Sequence, residues 1–214
     1  MAKQSFEAAL DNVLRHEGGY ADHPADPGGA TKYGITRATL SAWRGANATK
    51  TDVRRLTRAE AGAIYRARYW DAVRAGDLPA GVDCCVFDAA VNSGPGRAAK
   101  WLQAAVRVPQ DGVVGPVTLA AARSCDPRGL IDDVCDVRLA FLRSLSTWSV
   151  SGRGWERRIG DVRRVAGAMA RGAPPPGSSV QPNRPPDPEA APPSGGFWSA
   201  LAAFLRAVLT GGAK

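Results

Sequence analysis

Between positions 172 and 196 the chain reads GAPPPGSSVQPNRPPDPEAAPPSGG. Proline and glycine at this density, with no large apolar side chains, cannot build a core, so the segment is expected to be an extended, semi-rigid linker. Whatever folds must therefore fold from residues 1–171. With 214 residues in all and 44% of them hydrophobic, that stretch suffices for one substantial core, with a small appendage beyond the linker. The appendage, 197–214, begins FWSALAAFLRAVL and repeats Phe197, Leu201, Phe204, Leu205 and Val208 at helical spacing. Thirteen residues at about 1.5 Å each reach about 20 Å, short of the roughly 30 Å hydrocarbon core of a bilayer. Docking of the 197–209 helix on the protein's own body, on another protein or in a membrane interface all stay open.

Within 1–171 the apolar residues recur at helical intervals. Phe6, Ala9, Leu10, Val13 and Leu14 form one stripe behind Ser5 as a candidate cap. Thr57 and Glu60 have the spacing of a capping box ahead of Ala61, Ile64 and Tyr65. Residues 82–91 are apolar almost all round, as a central buried helix would be. Leu130, Val134, Val137, Phe141 and Leu145 mark a further helix, and Trp155, Ile159, Val162, Val165 and Met169 another. Only 31–36 and 111–114 suit short extended pieces. The expected fold is mainly α with a small β-hairpin element.

Charge and cysteine use narrow the setting. Lys and Arg number 28 against 20 Asp and Glu, a formal charge of +8, which favours an anionic polymer such as nucleic acid, anionic lipid or bacterial wall. No DNA-reading motif accompanies the charge, so no specific nucleic-acid partner is expected. Cys84, Cys85, Cys125 and Cys135 form no C-x-x-C pair, and His16 and His23 are too few for a metal site; no metal or cofactor is expected. Adjacent cysteines in an apolar run read as small core residues of a protein made in a reducing compartment. The first nineteen residues hold no unbroken apolar run of the signal-peptide kind, so synthesis in the cytoplasm and delivery by another route are expected.

The chemistry concentrates in HEGGYADHPADPGGATKYGIT, residues 16–36. At about 100° per residue, Glu17 falls near the middle of the first apolar stripe while Arg15 points the other way. Gly18 and Gly19 then stop the helix. Partial desolvation and the negative end of the helix dipole both favour the protonated carboxyl, the state a general acid needs. Protonating a glycosidic oxygen is work for such a group, with a second carboxylate or a positioned water completing the displacement. Asp22 and Asp26 are the candidates for the second carboxylate, and Thr31 for holding the water. Tyr20 and Tyr33 offer rings suited to sugar faces. Asn92, near the end of the buried helix, is placed to present its amide to an N-acetyl group or to cap the core, and Asp88 to hold a neighbouring loop. A plain structural account competes in each case: a helix-end glutamate paired with an arginine, aspartates in ordinary turns, and tyrosines covering a hairpin.

This stretch resembles the signature of glycoside hydrolase family 108, phage- and prophage-type muramidases with the pattern E-G-G-aromatic, D-P-G-G-x-T and aromatic-Gly-Ile/Val-Thr. YWDAVRAGDLPAGVDCCVFDAAVNSGPGRAAKWLQAAV and DGVVGPVTLAA resemble the family's second half, a predicted peptidoglycan-binding region, and the likeness covers about residues 5–170. It implies a lysozyme-like helical fold in 1–171, with a catalytic part in 1–83 and a peptidoglycan-binding-like part in 84–171. It also implies hydrolysis of the β-1,4 bond between N-acetylmuramic acid and N-acetylglucosamine in peptidoglycan, with Glu17 as the catalytic acid and delivery to the wall by a phage-type system. Related phage lysozymes have the same Glu-to-Asp spacing as Glu17 to Asp26, with one residue more before the Thr, which favours Asp26 over Asp22. The glycines and proline of DGVVGPVT equally make turn punctuation, so that motif reads as architecture as well as binding. A lytic transglycosylase using the same glutamate and a noncatalytic wall-binding component of a phage-like particle are the alternatives.

Overall fold

The computed structural model describes residues 2–22 and 29–173. The expected linker at 172–196, apart from its first two residues, and the expected helix at 197–214 lie outside the described residues. The described chain is mainly α with one small antiparallel hairpin, the fold class expected from the periodicity. It divides into two compact units, the first holding 2–16 and the chain from residue 65 onward, the second holding 17–64.

In the first unit, α1 (Ala2–Glu17) contributes its length up to His16. A short π-helical turn (Arg66–Trp70) and a 3-10 turn (Ala75–Asp77) lead into α5 (Val82–Ser93). Then come α6 (Pro95–Ala105), α7 (Pro116–Ser124), α8 (Pro127–Arg143) and α9 (Trp148–Ala170). The expected central helix is α5, buried on almost every side and packed by α6, α8 and α9. Its cysteines and alanines let the surrounding helices come close, while Phe87 fills the space between Phe6 and Trp70 with ring centroids 5.9 and 5.4 Å away. Gly81 introduces α5 at φ +85°, and a Cβ there would lie 2.3 Å from the carbonyl oxygen of Ala166, so only glycine fits between α5 and α9.

Two expectations fail here for identifiable reasons. Ser5 does not cap α1, because the helix already begins at Ala2. Its hydroxyl instead donates to the buried carboxylate of Asp83, which also accepts from the N–H groups of Gly81 and Cys84. Burial pushes the Asp83 carboxyl up despite these bonds. Nor is 111–114 a strand. The N–H of Gly112 goes to the Gln103 side chain at 2.9 Å and that of Val113 to Asp111 at 2.8 Å, so these amides are satisfied locally and have no partner strand.

In the second unit, β1 (Thr31–Lys32) and β2 (Ile35–Thr36) pair with Thr31 opposite Thr36 and Lys32 opposite Ile35. Tyr33 and Gly34 make the two-residue turn, both at positive φ, the conformation that matches the twist of a tight hairpin. Thr36 ends the hairpin and caps α2 (Arg37–Arg44) through its hydroxyl, which accepts from the Thr39 N–H. A full capping box of Thr49 and Asp52 starts α3 (Lys50–Arg55). At α4 (Arg58–Tyr65) the Thr57 hydroxyl accepts from the Glu60 N–H at 3.1 Å, the cap expected there. Ile35, Leu40, Val53, Leu56 and Ile64 are the unit's large buried apolar residues, with Ala30 and Ala61 beside them in the buried set. Arg44 forks onto Glu60 with two contacts of 2.8 Å, tying α2 to α4. Among the described residues no helix is long and apolar enough to cross a membrane.

Candidate active site

Glu17 is the last residue of α1, and Gly18 follows it at φ +76°, the left-handed turn that glycine permits and that ends the helix. The Glu17 side chain is half-buried, as its place in the apolar stripe predicts for a residue at a helix end. From there the chain is stitched to the hairpin. Ala21 and Thr31 exchange both backbone hydrogen bonds, at 2.9 and 2.8 Å, so Tyr20 and Asp22 flank the residue paired with Thr31. Glu17, Tyr20, Asp22, Thr31 and Tyr33 thus belong to one unit, and all five are half-buried. A half-buried polar group retains access to a ligand while losing part of its hydration.

Helix α3 supplies cations that the sequence reading did not single out. Lys50 pairs with Asp22 at 3.1 Å, and the Arg54 guanidinium lies 4.8 Å from the centre of the Tyr20 ring. The Tyr20 hydroxyl is 3.4 Å from the same Asp22 carboxylate. Lys32 of the hairpin donates to the carbonyl of Arg54 at 2.9 Å, which fixes β1 against α3. Lys50 and Arg54 are one helical turn apart, so their i,i+4 spacing was the available signal. Nothing in the sequence announced that this face of α3 would meet residues 20–22. Asp26 and His23 lie outside the described residues. Among the described residues, no three of His, Cys, Asp and Glu converge as a metal ion would require.

Asn92 belongs to the first unit, in a different environment. It is 1% exposed, and its Oδ1 accepts from Arg138 Nη2 at 3.0 Å. Arg138 also donates to Asp88 at 2.8 Å, and Arg158 pairs with the other Asp88 oxygen at 2.9 Å. Asp88 therefore holds two helices, α8 and α9, where a loop had been expected. Burial alone would raise its carboxyl pKa, but Arg158 and then Arg138 outweigh it and hold the pKa at about 2. The Nδ2 of Asn92 and the Nε of Arg138 have no hydrogen-bond partner among the described residues. His16 feels the same cluster: burial first, then the charge of Arg158, lowers its pKa and favours the neutral imidazole.

The sequence model of the Glycosyl hydrolase 108 family matches residues 10–94, which include the whole of the stretch from Glu17 to Tyr33. The solved structure of SagA from Brucella abortus is 51% identical, with a TM-score of 0.71 over 79% of this chain and 97% of that one. No curated protein matches the chain. A likeness of that identity spanning nearly all of a solved relative, joined to the family match over the candidate site, places this protein in glycosyl hydrolase family 108.

Proposed function

We propose that this glycoside hydrolase cuts the glycan strand of bacterial peptidoglycan, at the β-1,4 bond between N-acetylmuramic acid and N-acetylglucosamine, with Glu17 as the general acid. The observation that carries the reading is the half-buried carboxylate of Glu17 at the terminus of α1, inside the segment matched by the family. In its protonated form Glu17 gives its proton to the bridging oxygen as the bond to the leaving sugar breaks. Water, or a carboxylate acting first, then takes the anomeric carbon. Asp26 is the second carboxylate in this proposal and Thr31 orients the water. Asp22 is assigned a holding role, because Lys50 and the Tyr20 hydroxyl already engage it. Tyr20 and Tyr33 are assigned to sugar contact. Asn92 is given to the Asp88 network, since its carbonyl oxygen is already committed to Arg138.

In the proposed division, 1–83 carries the chemistry and 84–171 completes the fold. The DGVVGPVT motif supports an architectural role there, because the buried Gln103 donates through Nε2 to Asp111 at 2.6 Å and to the carbonyl of Val113 at 3.0 Å, tying the motif to α6. The net charge of +8 favours retention on an anionic envelope after release or delivery by a phage-type system. The deciding experiment is mass analysis of the fragments released from purified peptidoglycan, run beside Glu17→Gln. Reducing muramic ends, with the variant almost inactive, support the proposal. A 1,6-anhydro sugar would convert it to a lytic transglycosylase, and binding without soluble fragments to a noncatalytic wall-binding component. Full activity in Glu17→Gln would end it.

A further inference from the structure

Helices α5 and α8 meet through two rungs of one ladder. Asp88 and Arg138 form the first, at 2.8 Å. Three residues earlier on each helix, the sulfurs of Cys85 and Cys135 lie 3.6 Å apart, and both residues are completely buried. Both rungs join residues fifty positions apart, so the two helices advance together here and the buried ion pair fixes the register that keeps the sulfurs opposed. A disulfide needs the sulfurs at about 2.05 Å, a closure that side-chain rotation can supply when the backbones already hold the two residues face to face. The other cysteines are placed differently. Cys84 is turned about 100° away around α5 from Cys85, and Cys125 precedes α8 with its sulfur on the carbonyl of Ala121.

We propose that Cys85 and Cys135 are a built oxidation site, a thiol pair that a peroxide converts into a disulfide linking α5 to α8. All four cysteines are free thiols in the structure, and this pair is the one held sulfur to sulfur. The pair is also unequal. The hydrogen bond from Cys85, aided by the charges of Arg138 and Arg163, lowers the Cys135 pKa against the opposing effect of burial, whereas Cys85 is raised. In this proposal Cys135 is the attacking sulfur and Cys85 the resolving one. A cavity of about 330 Å³ lined by Arg128, Ile131, Asp132 and Arg163 lies one helical turn along α8 from Cys135.

The Cys135 thiolate attacks one peroxide oxygen; the O–O bond breaks, hydroxide leaves, and Cys135 becomes a sulfenic acid. The sulfur of Cys85 then attacks the Cys135 sulfur, and the sulfenic hydroxyl departs with the Cys85 proton as water, while the hydroxide from the first step takes up the proton that Cys135 gave up on ionising. Two thiols and one hydrogen peroxide thus give one disulfide and two waters. The inference is independent of the glycan chemistry above, since it concerns residues outside the candidate site.

The test treats the folded full chain with hydrogen peroxide and maps its cysteines without reduction. The expected result is a mass lower by about 2 Da, free thiols falling from four to two, and a peptide joining Cys85 to Cys135. The crosslink should also raise the thermal midpoint by about 5–10 °C, reversibly with dithiothreitol. Cys85→Ala should give no crosslinked peptide at Cys135 under the same treatment. Recovery of Cys85 and Cys135 as unmodified thiols from oxidised wild-type protein, or linkage of Cys135 to Cys84 or Cys125, would overturn the proposal whether or not the variant folds.

Discussion

The first unit turns its most strongly paired charges inward, whereas the second leaves its own at the surface. Asp88, Arg138 and Arg158 are at most 5% exposed and engage one another across α5, α8 and α9. Glu17, Asp22, Tyr20, Thr31 and Tyr33 are all half-buried, carried on a helix end, a connecting segment and a hairpin. Carboxylates occur in both places, and burial separates what they can do. A carboxylate held at about pKa 2 by two guanidinium groups has its proton affinity spent on structure. One at a helix terminus, partly open to solvent, keeps part of its hydration, the setting in which the proposed proton transfer by Glu17 would work.

Substitutions can break this contrast. The largest effect is expected for Glu17→Gln, with glycan-cleaving turnover falling about 10²–10⁴-fold and the thermal midpoint unchanged, measured on peptidoglycan and by calorimetry. A variant that unfolds early yet still cuts would assign Glu17 to the structural class. Asp88→Asn is expected to do the reverse. It leaves two buried guanidinium groups without their counter-charge, costing about 3–5 kcal/mol in urea unfolding, with activity per folded molecule preserved. Loss of turnover in a fully stable Asp88→Asn protein would instead link the network to catalysis.

Acid sharpens the same distinction. The Asp88 pKa is depressed on folding, so its stabilisation is complete above the unfolded value near 3.9 and is lost as pH falls towards about 2. Wild-type protein should lose about 2–3 kcal/mol from this group between about pH 5 and 1. Asp88→Asn should show a flatter pH profile across that window. The smallest effect is expected for Thr49→Ala, which removes the cap of α3 and costs about 1 kcal/mol. Because α3 positions Lys50 and Arg54 against Asp22 and Tyr20, KM for peptidoglycan should change more than turnover, whereas a pure stability effect would leave both unchanged at low temperature.

Much of the fold was legible because its signals are local. The four-residue recurrence of apolar side chains marked α1, α8 and α9, and the all-round apolar run marked α5 as central. The glycine pair after Glu17 marked the end of α1, where the proposed acid sits. Ser5 misled because a serine ahead of an apolar stripe resembles a cap, while its actual partner, Asp83, is 78 residues away. Residues 111–114 misled because alternation near glycines resembles a strand, and the side chain of Gln103 that captures their amides is not visible in any local window. The partners of Asp88 are 50 and 70 positions distant, beyond the reach of periodicity.

The sequence by itself determined α1, α4, α5, α8 and α9 with their apolar faces, the break at Gly18 and the family signature around Glu17, since each depends on neighbours within a few residues. Only the tertiary structure decided which charges are buried in pairs, that α3 carries the cations beside Tyr20 and Asp22, and that Cys85 faces Cys135. The reason is physical. Spacing along a helix fixes the direction in which a side chain leaves it, but the group it meets, and the water it loses on meeting it, depend on how distant helices pack.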